Sequence, residues 1–220
     1  RTITPLILNA YQYYKRDGSI ASKENIRNTE ARLNVRFAYK EKFLNGDFSR
    51  ISLGTKWPVI QLNYAKSLQN AFQGEYDYQK VTLNLSDRVR LVSLLGYTDY
   101  TLEAGQIFGT LPYPLMELHG GNETYVYDYM AYNMMKYYEF ASDRYASIGI
   151  FHHFEGLLFN KIPLVKKLKW REVVTCKALW GSVNEKNKKT ILFPSTLSAL
   201  GNEPYVEVSV GIENIFKFRW

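Results

Sequence analysis

Along much of this chain apolar and polar residues alternate one by one, over segments of roughly ten residues, the period of a β-strand. In the stretch 31–40, Ala31, Leu33, Val35, Phe37 and Tyr39 fall on one side, and Arg32, Asn34, Arg36 and Lys40 on the other. Successive side chains of a strand point to opposite faces, so this strand has one apolar and one charged face. Near the other end, Val206, Val208, Val210 and Ile212 alternate with Glu207, Ser209, Gly211 and Glu213. The pattern predicts strands over 3–14, 30–41, 47–55, 58–67, 75–90, 95–108, 132–141, 144–156, 170–180 and 205–217. Many of these exceed the 5–6 residues usual in globular sheets.

Turn chemistry separates the segments. Arg16-Asp17-Gly18, Asn45-Gly46-Asp47, Gln73-Gly74 and Gly120-Gly121-Asn122 all read as turns, and Asn45-Gly46-Asp47 between Phe43 and Phe48 as a tight hairpin. Gly96 to Tyr100 reads as the turn into the strand carrying Leu102 and Ala104. The apolar phase slips from Tyr76 and Tyr78 to Val81, Leu83 and Leu85, which a β-bulge would produce. Two stretches carry no strand pattern: 109–131, which opens Gly109-Thr110-Leu111-Pro112-Tyr113-Pro114, and 182–204, lysine-bearing and then broken by Pro194 and Gly201. Both read as long loops.

An apolar strand face meets either a second sheet, as in a soluble sandwich, or lipid, as in an outer-membrane barrel. Composition leans towards lipid. Aromatic residues make up 15% of the 220, with 18 tyrosines and 12 phenylalanines, which suits the girdles of a spanning barrel. No apolar run approaches the ~18 residues of a transmembrane helix, and a spanning strand needs only about 9–11. The net charge is +7, but the basic residues are spread out and sit in no nucleic-acid motif. The exceptions are Lys166, Lys167, Lys169 and Arg171 beside Trp170, and Lys186, Lys188 and Lys189. The first group, preceded by Leu164 and Val165, suits a short amphipathic turn at a membrane surface.

Candidate chemistry is sparse. The single cysteine, Cys176, excludes an internal disulfide and sits within an alternating strand. His152 and His153 face opposite sides of their strand, and Glu155 shares a face with His153 alone, too few ligands for zinc. No phosphate loop, dinucleotide fingerprint, nucleophile elbow or zinc-protease motif is present. The expectation is no catalytic, cofactor-binding or metal-binding residue.

Several longer runs resemble a family of outer-membrane proteins of the Bacteroidota. They are Glu103-Ala104-Gly105-Gln106-Ile107-Phe108-Gly109-Thr110-Leu111-Pro112-Tyr113-Pro114-Leu115, Gly121-Asn122-Glu123-Thr124-Tyr125, His152-His153-Phe154-Glu155-Gly156, Asn160-Lys161-Ile162-Pro163-Leu164 and Lys167-Leu168-Lys169-Trp170-Arg171-Glu172. The family joins an N-terminal carboxypeptidase-regulatory-like domain to a C-terminal barrel related to the BamA/TamA surface-antigen class. The resemblance covers most of the chain from Arg32 onward. It implies no peptidase here, but assistance in placing proteins into, or moving them across, the outer membrane. It also implies that the region from Gly120 to Asp128 is a loop folding back into the lumen. The Arg-Gly-aromatic tripeptide usual in that loop is replaced here by Gly121-Asn122-Glu123-Thr124-Tyr125-Val126-Tyr127.

Together these features predict an all-β chain, residues 1–220 being part of one antiparallel transmembrane β-barrel in the bacterial outer membrane. About ten strands are visible where the resemblance implies about sixteen, so the barrel would continue beyond the chain. The expected role is non-enzymatic: assembly or transport of envelope proteins or lipids, or membership of an outer-membrane complex. A passive pore and a soluble β-sandwich that binds carbohydrate are the alternatives. Expected partners are outer-membrane lipid or lipopolysaccharide and other envelope proteins, with no nucleic acid. The candidate lumen-loop residues are Gly120, Gly121, Asn122, Glu123 and Tyr125. The candidate membrane-interface residues are Lys166, Lys167, Lys169, Trp170 and Arg171.

Overall fold

The computed structural model describes residues 2–3, 11–15, 19–92, 95–123, 125–201 and 203–215. It is all-β. Seven strands form one antiparallel sheet: β5 (Glu30–Phe37), β8 (Val59–Ser67), β9 (Tyr78–Arg90), β10 (Tyr97–Gly109), β13 (Arg144–His153), β14 (Arg171–Ser182) and β16 (Tyr205–Glu213). Each strand pairs with the one before it in this series, a simple meander. Short pieces lie outside it. At the N-terminus are β1 (Thr2–Ile3) with β4 (Ile26–Arg27), and β2 (Tyr11–Tyr14) with β3 (Ile20–Lys23). Between β5 and β8 stands a separate hairpin of β6 (Lys42–Asn45) and β7 (Arg50–Gly54).

Register shows how the alternating pattern is used. Val35 pairs with Leu62, Leu62 with Leu83, and Leu83 with Ala104. Ile148 opposes Leu102 and Ala178, and Val206 opposes Ala178. These residues share one face, and in-register pairing keeps the apolar set together across all seven strands. Phe37 is 59% exposed and Val210 77%. The other face carries Arg32, Asn34, Asn63, Thr82, Asn84, Glu103, Ser147, Lys177, Glu207 and Ser209 by the same registers.

The long connections cover part of the polar face, over β13, β14, β16 and the near ends of β9 and β10, and not the apolar one. Residues 110–143 and 183–204 leave the sheet at the same end. They are joined there by β11 (Glu117–Leu118), β12 (Phe140–Ser142) and β15 (Ser198–Ala199). One buried cluster sets Tyr78 and Ile107 of the sheet against Leu111, Met116, Ala141, Val183 and Leu197. A second sets Tyr145 and Leu179 against Tyr132, Met135 and Leu200. A third, Tyr11, Ile26 and Ile191, ties the N-terminal strands to the 183–204 connection. At the opposite end lie the β6–β7 hairpin, the junction of β9 with β10 and the connection 154–170.

Seven of the ten expected strands enter the sheet. The stretch 47–55 instead forms half of the separate hairpin, consistent with the turn expected at Asn45-Gly46-Asp47. The strand expected over 132–141 does not form as such. All but its last two residues lie in a loop over the polar face, because Tyr132 and Met135 are bound into the second cluster. The strand expected over 30–41 ends at Phe37, and the chain turns through Lys40 at φ 52°. Residues 4–10 of the predicted strand 3–14, and the turn Arg16-Asp17-Gly18, lie outside the described residues. Tyr97–Tyr100 belong to β10, so the turn ends at Gly96, whose φ of 71° favours glycine. No bulge explains the phase slip near Tyr78. The registers of β9 with β8 and β10 run unbroken, and Tyr78 lies on the polar-face side, where the loops bury it. The seven strands form an open sheet, and no closed barrel is present among the described residues.

Candidate functional site

The connection 110–143 does more than cover the sheet end. From β11 it runs along the polar face to the middle of the strands, makes a neck, and returns to β12. The neck is built from the predicted loop residues. Gly120 O accepts from Tyr132 N at 3.0 Å, and Asn122 N donates to Tyr132 O at 2.9 Å. The Asn122 side chain closes the loop from inside. Its Nδ2 donates to Asp128 O at 2.8 Å and Asn133 Oδ1 at 2.7 Å, while Oδ1 accepts from Asp128 N at 2.9 Å. A methyl group at Gly121 would stand 2.1 Å from Met135 O, so only glycine fits between the two branches. Glu123 accepts from Tyr137 N at 3.2 Å. The structure therefore gathers Gly120, Gly121, Asn122 and Glu123 into one neck. Tyr125 is not part of it and stands fully exposed at the tip.

The sheet holds this loop with charge. Lys177 on β14 and Glu207 on β16 are register partners, with Nζ 3.8 Å from Oε1. Their side chains are 3% and 7% exposed. Lys177 Nζ donates to Ala131 O. The Glu207 carboxylate accepts from Asn133 N at 2.9 Å and Met134 N at 3.1 Å. Tyr132 Oη donates to Ala178 O at 3.3 Å. Nearer the loop end, Lys80 pairs with Glu117, and Tyr145 Oη donates to Glu103 Oε1 at 2.7 Å. A cavity of about 200 Å³ remains between loop and sheet, bordered by Glu103, Glu117, His119, Tyr132, Tyr145 and Lys177.

His119 borders that cavity. Its Nε2 lies 3.0 Å from Ser142 Oγ, and its ring meets Tyr145 edge-on at 5.1 Å. Burial pushes the imidazole down from 6.5 to about 4, so it is neutral in the folded chain. An unfolded His119 takes up a proton as the pH falls through 6.5, whereas the folded one resists until about 4. The contribution of His119 to stability is thus lost across that window and does not change below it. Acidification through this window should lower the thermal midpoint of the protein, and His119→Gln should flatten that dependence. Equal slopes for the two proteins would show that His119 does not set the acid sensitivity.

A second junction pins both long connections to the sheet. Asp143 Oδ2 accepts from Asn184 N and from Asn187 Nδ2, each at 2.7 Å, and the buried Asn187 Oδ1 accepts from Leu111 N at 3.1 Å. Nothing in the spacing of these residues announces it, because the partners are far apart in sequence.

Among the described residues, no three His, Cys, Asp or Glu side chains are placed to share a metal ion. His152 faces the apolar side near Thr98, and His153 stacks on Tyr97 at 4.6 Å on the polar side. Cys176 lies on the apolar face between Ile150 and Val208, half-buried.

The model of a family described as a family of unknown function (DUF5686), C-terminal domain, matches residues 14–212. The chain belongs to the DUF5686 C-terminal domain family. No curated protein and no solved structure matches it. In this DUF5686 domain the predicted interface residues fall into two groups. Lys166 and Lys167 lie in the helix α1 (Pro163–Leu168), and Lys169 caps it at φ 58°; all three are exposed. Trp170 packs edge-on to Phe159, and Arg171 opens β14, 3.4 Å from Glu155. Sequence reading missed Lys177 and Glu207. Both sit on the polar phase of their strands, the only signal available, and many other residues share it.

Proposed function

We propose that this domain is a wall of a β-barrel in the bacterial outer membrane, with its apolar face in lipid and its own loop seated against the lumen side. One observation carries the reading: the chain packs its long loops on the polar face of its sheet and leaves the apolar face bare. A soluble sandwich does the opposite, burying apolar side chains against a second layer. In lipid, the bare face is the favourable one. Bilayer-spanning strands must also have every backbone group paired, so the outer edges of β5 and β16 require further strands to complete the wall. The aromatic content fits the same setting.

The corresponding role is non-enzymatic. A lumen loop latched by Lys177 and Glu207 supports a BamA-like barrel that aids the assembly or transport of envelope proteins or lipids, alone or within an outer-membrane complex. In this chain the anchoring cation belongs to the wall and grips loop backbone, where the surface-antigen class carries an arginine in the loop. A passive pore fits less well, because residues 110–143 lie along the polar face. If depleting the protein leaves every other outer-membrane protein at its normal level, the assembly role fails.

The barrel reading itself is tested by electrophoresis of the membrane-extracted protein with and without boiling. A compact, faster band that slows on heating is expected. A single mobility, together with release from membranes by carbonate, would return the protein to the soluble class.

A further inference from the structure

We propose that the connection 154–170 is a foot that seats on the anionic phospholipid surface bordering the barrel wall; this rests on the membrane reading above. Glu172 shares the apolar face with Val174 and Cys176 and lies opposite Ile212. Its Oε1 accepts the backbone N–H groups of Leu158 at 2.8 Å and Phe159 at 2.6 Å. Those two bonds draw the connection to the lipid side of the sheet end, away from the polar side where the long loops pack.

The foot is amphipathic. Leu158, Ile162, Leu164 and Leu168 leave apolar side chains exposed, continuing the bare band of the sheet around its rim. Leu164 and Leu168 are four apart on α1 and share one stripe. Between Glu155 and Glu172 the chain carries Lys161, Lys166, Lys167, Lys169 and Arg171 and no acidic residue. Short apolar side chains dipping beneath a ring of lysines match an interface in which acyl chains lie just below phosphates. The two longest connections leave the opposite end of the sheet. In outer-membrane barrels long loops face outward and shorter connections face the periplasm, where the leaflet is phospholipid. The occupant is therefore the phosphate layer of a glycerophospholipid leaflet.

The test uses the protein with Cys176→Ser, carrying a fluorophore at Leu164→Cys or, as a wall control, at Val210→Cys. Each is reconstituted in phosphatidylcholine vesicles doped with brominated phosphatidylcholine or brominated phosphatidylglycerol, and the heat-shifted band confirms the fold. Bromine quenches only on contact. The control at 210 should be quenched equally by both lipids. The label at 164 should be quenched by both, and more strongly by the anionic one. Each lysine near an anionic surface strengthens that preference by about fivefold, so changing Lys166, Lys167 and Lys169 to Gln should abolish most of it. If 210 is quenched and 164 is not, the foot lies in water or under protein and the inference is wrong. Equal quenching of 164 by the two lipids would overturn the headgroup assignment. An unquenched label at 210 would instead bring down the membrane reading.

Discussion

Leu83→Arg should destabilise the protein in a bilayer by about 2–4 kcal/mol, the cost of a cation on the lipid face near the midplane of a spanning barrel. Leu83 lies mid-strand on β9 between Leu62 and Ala104 and is 47% exposed. In a water-soluble protein a position that open would tolerate arginine within about 0.5 kcal/mol. The same substitution thus gives a large or a negligible effect according to which solvent touches the face. Urea unfolding from vesicles, followed by the heat-shifted band, reads the difference. A change within error would contradict the lipid assignment of the whole apolar face, because Leu83 sits at its centre.

The second large effect belongs to the latch. Lys177→Met leaves the Glu207 carboxylate buried without its cation, and removing one partner of a buried pair costs about 3–5 kcal/mol. Here Glu207 keeps the N–H groups of Asn133 and Met134, so the lower end, about 3 kcal/mol, is expected. The loss should be local as well as global. Hydrogen exchange should quicken at 131–136, which Lys177 and Glu207 bind, and remain unchanged at β9 and β10. Glu207→Gln should cost a comparable amount, since it leaves the Lys177 cation buried with the carbonyl of Ala131 in place of its anion. The double variant Lys177→Met with Glu207→Leu should recover much of the loss, because no buried charge is left unpaired. Unchanged exchange at 131–136 in Lys177→Met would show that the loop is held by its apolar contacts through Tyr132 and Met135 instead.

Much of the sheet was legible along the chain. Val206, Val208, Val210 and Ile212, like Leu33, Val35 and Phe37, alternate without interruption because in β16 and β5 one face is apolar along the strand. Legibility failed where loop and strand use the same letters. Tyr132 and Met135 carry the apolar content of a strand, but they are the loop's share of a cluster that Tyr145 and Leu179 complete. Tyr78 looked like a register slip because the polar face becomes apolar where the connections bury it. Of the candidate site, the neck at Gly120–Glu123 could be read, since Gly-Gly-Asn is local turn chemistry. Tyr125, two residues further on, lies outside the neck. Lys177 and Glu207 could not be found, because what joins them is the register of β14 with β16, and register is a property of the folded sheet. The junction of Asp143 with Asn187 was hidden for the same reason.

Opposite faces of one sheet should meet lipid and water, and β5 offers the sharpest test because both of its faces are open. In the Cys176→Ser background, cysteines placed one at a time at Arg32, Leu33, Asn34, Val35, Arg36 and Phe37 are challenged in intact membranes with a water-soluble maleimide. Labelling should alternate: 32, 34 and 36 react, while 33, 35 and 37 react only after detergent is added. Equal labelling on both faces before detergent would mean that water reaches the apolar face, and the domain would not be a membrane wall.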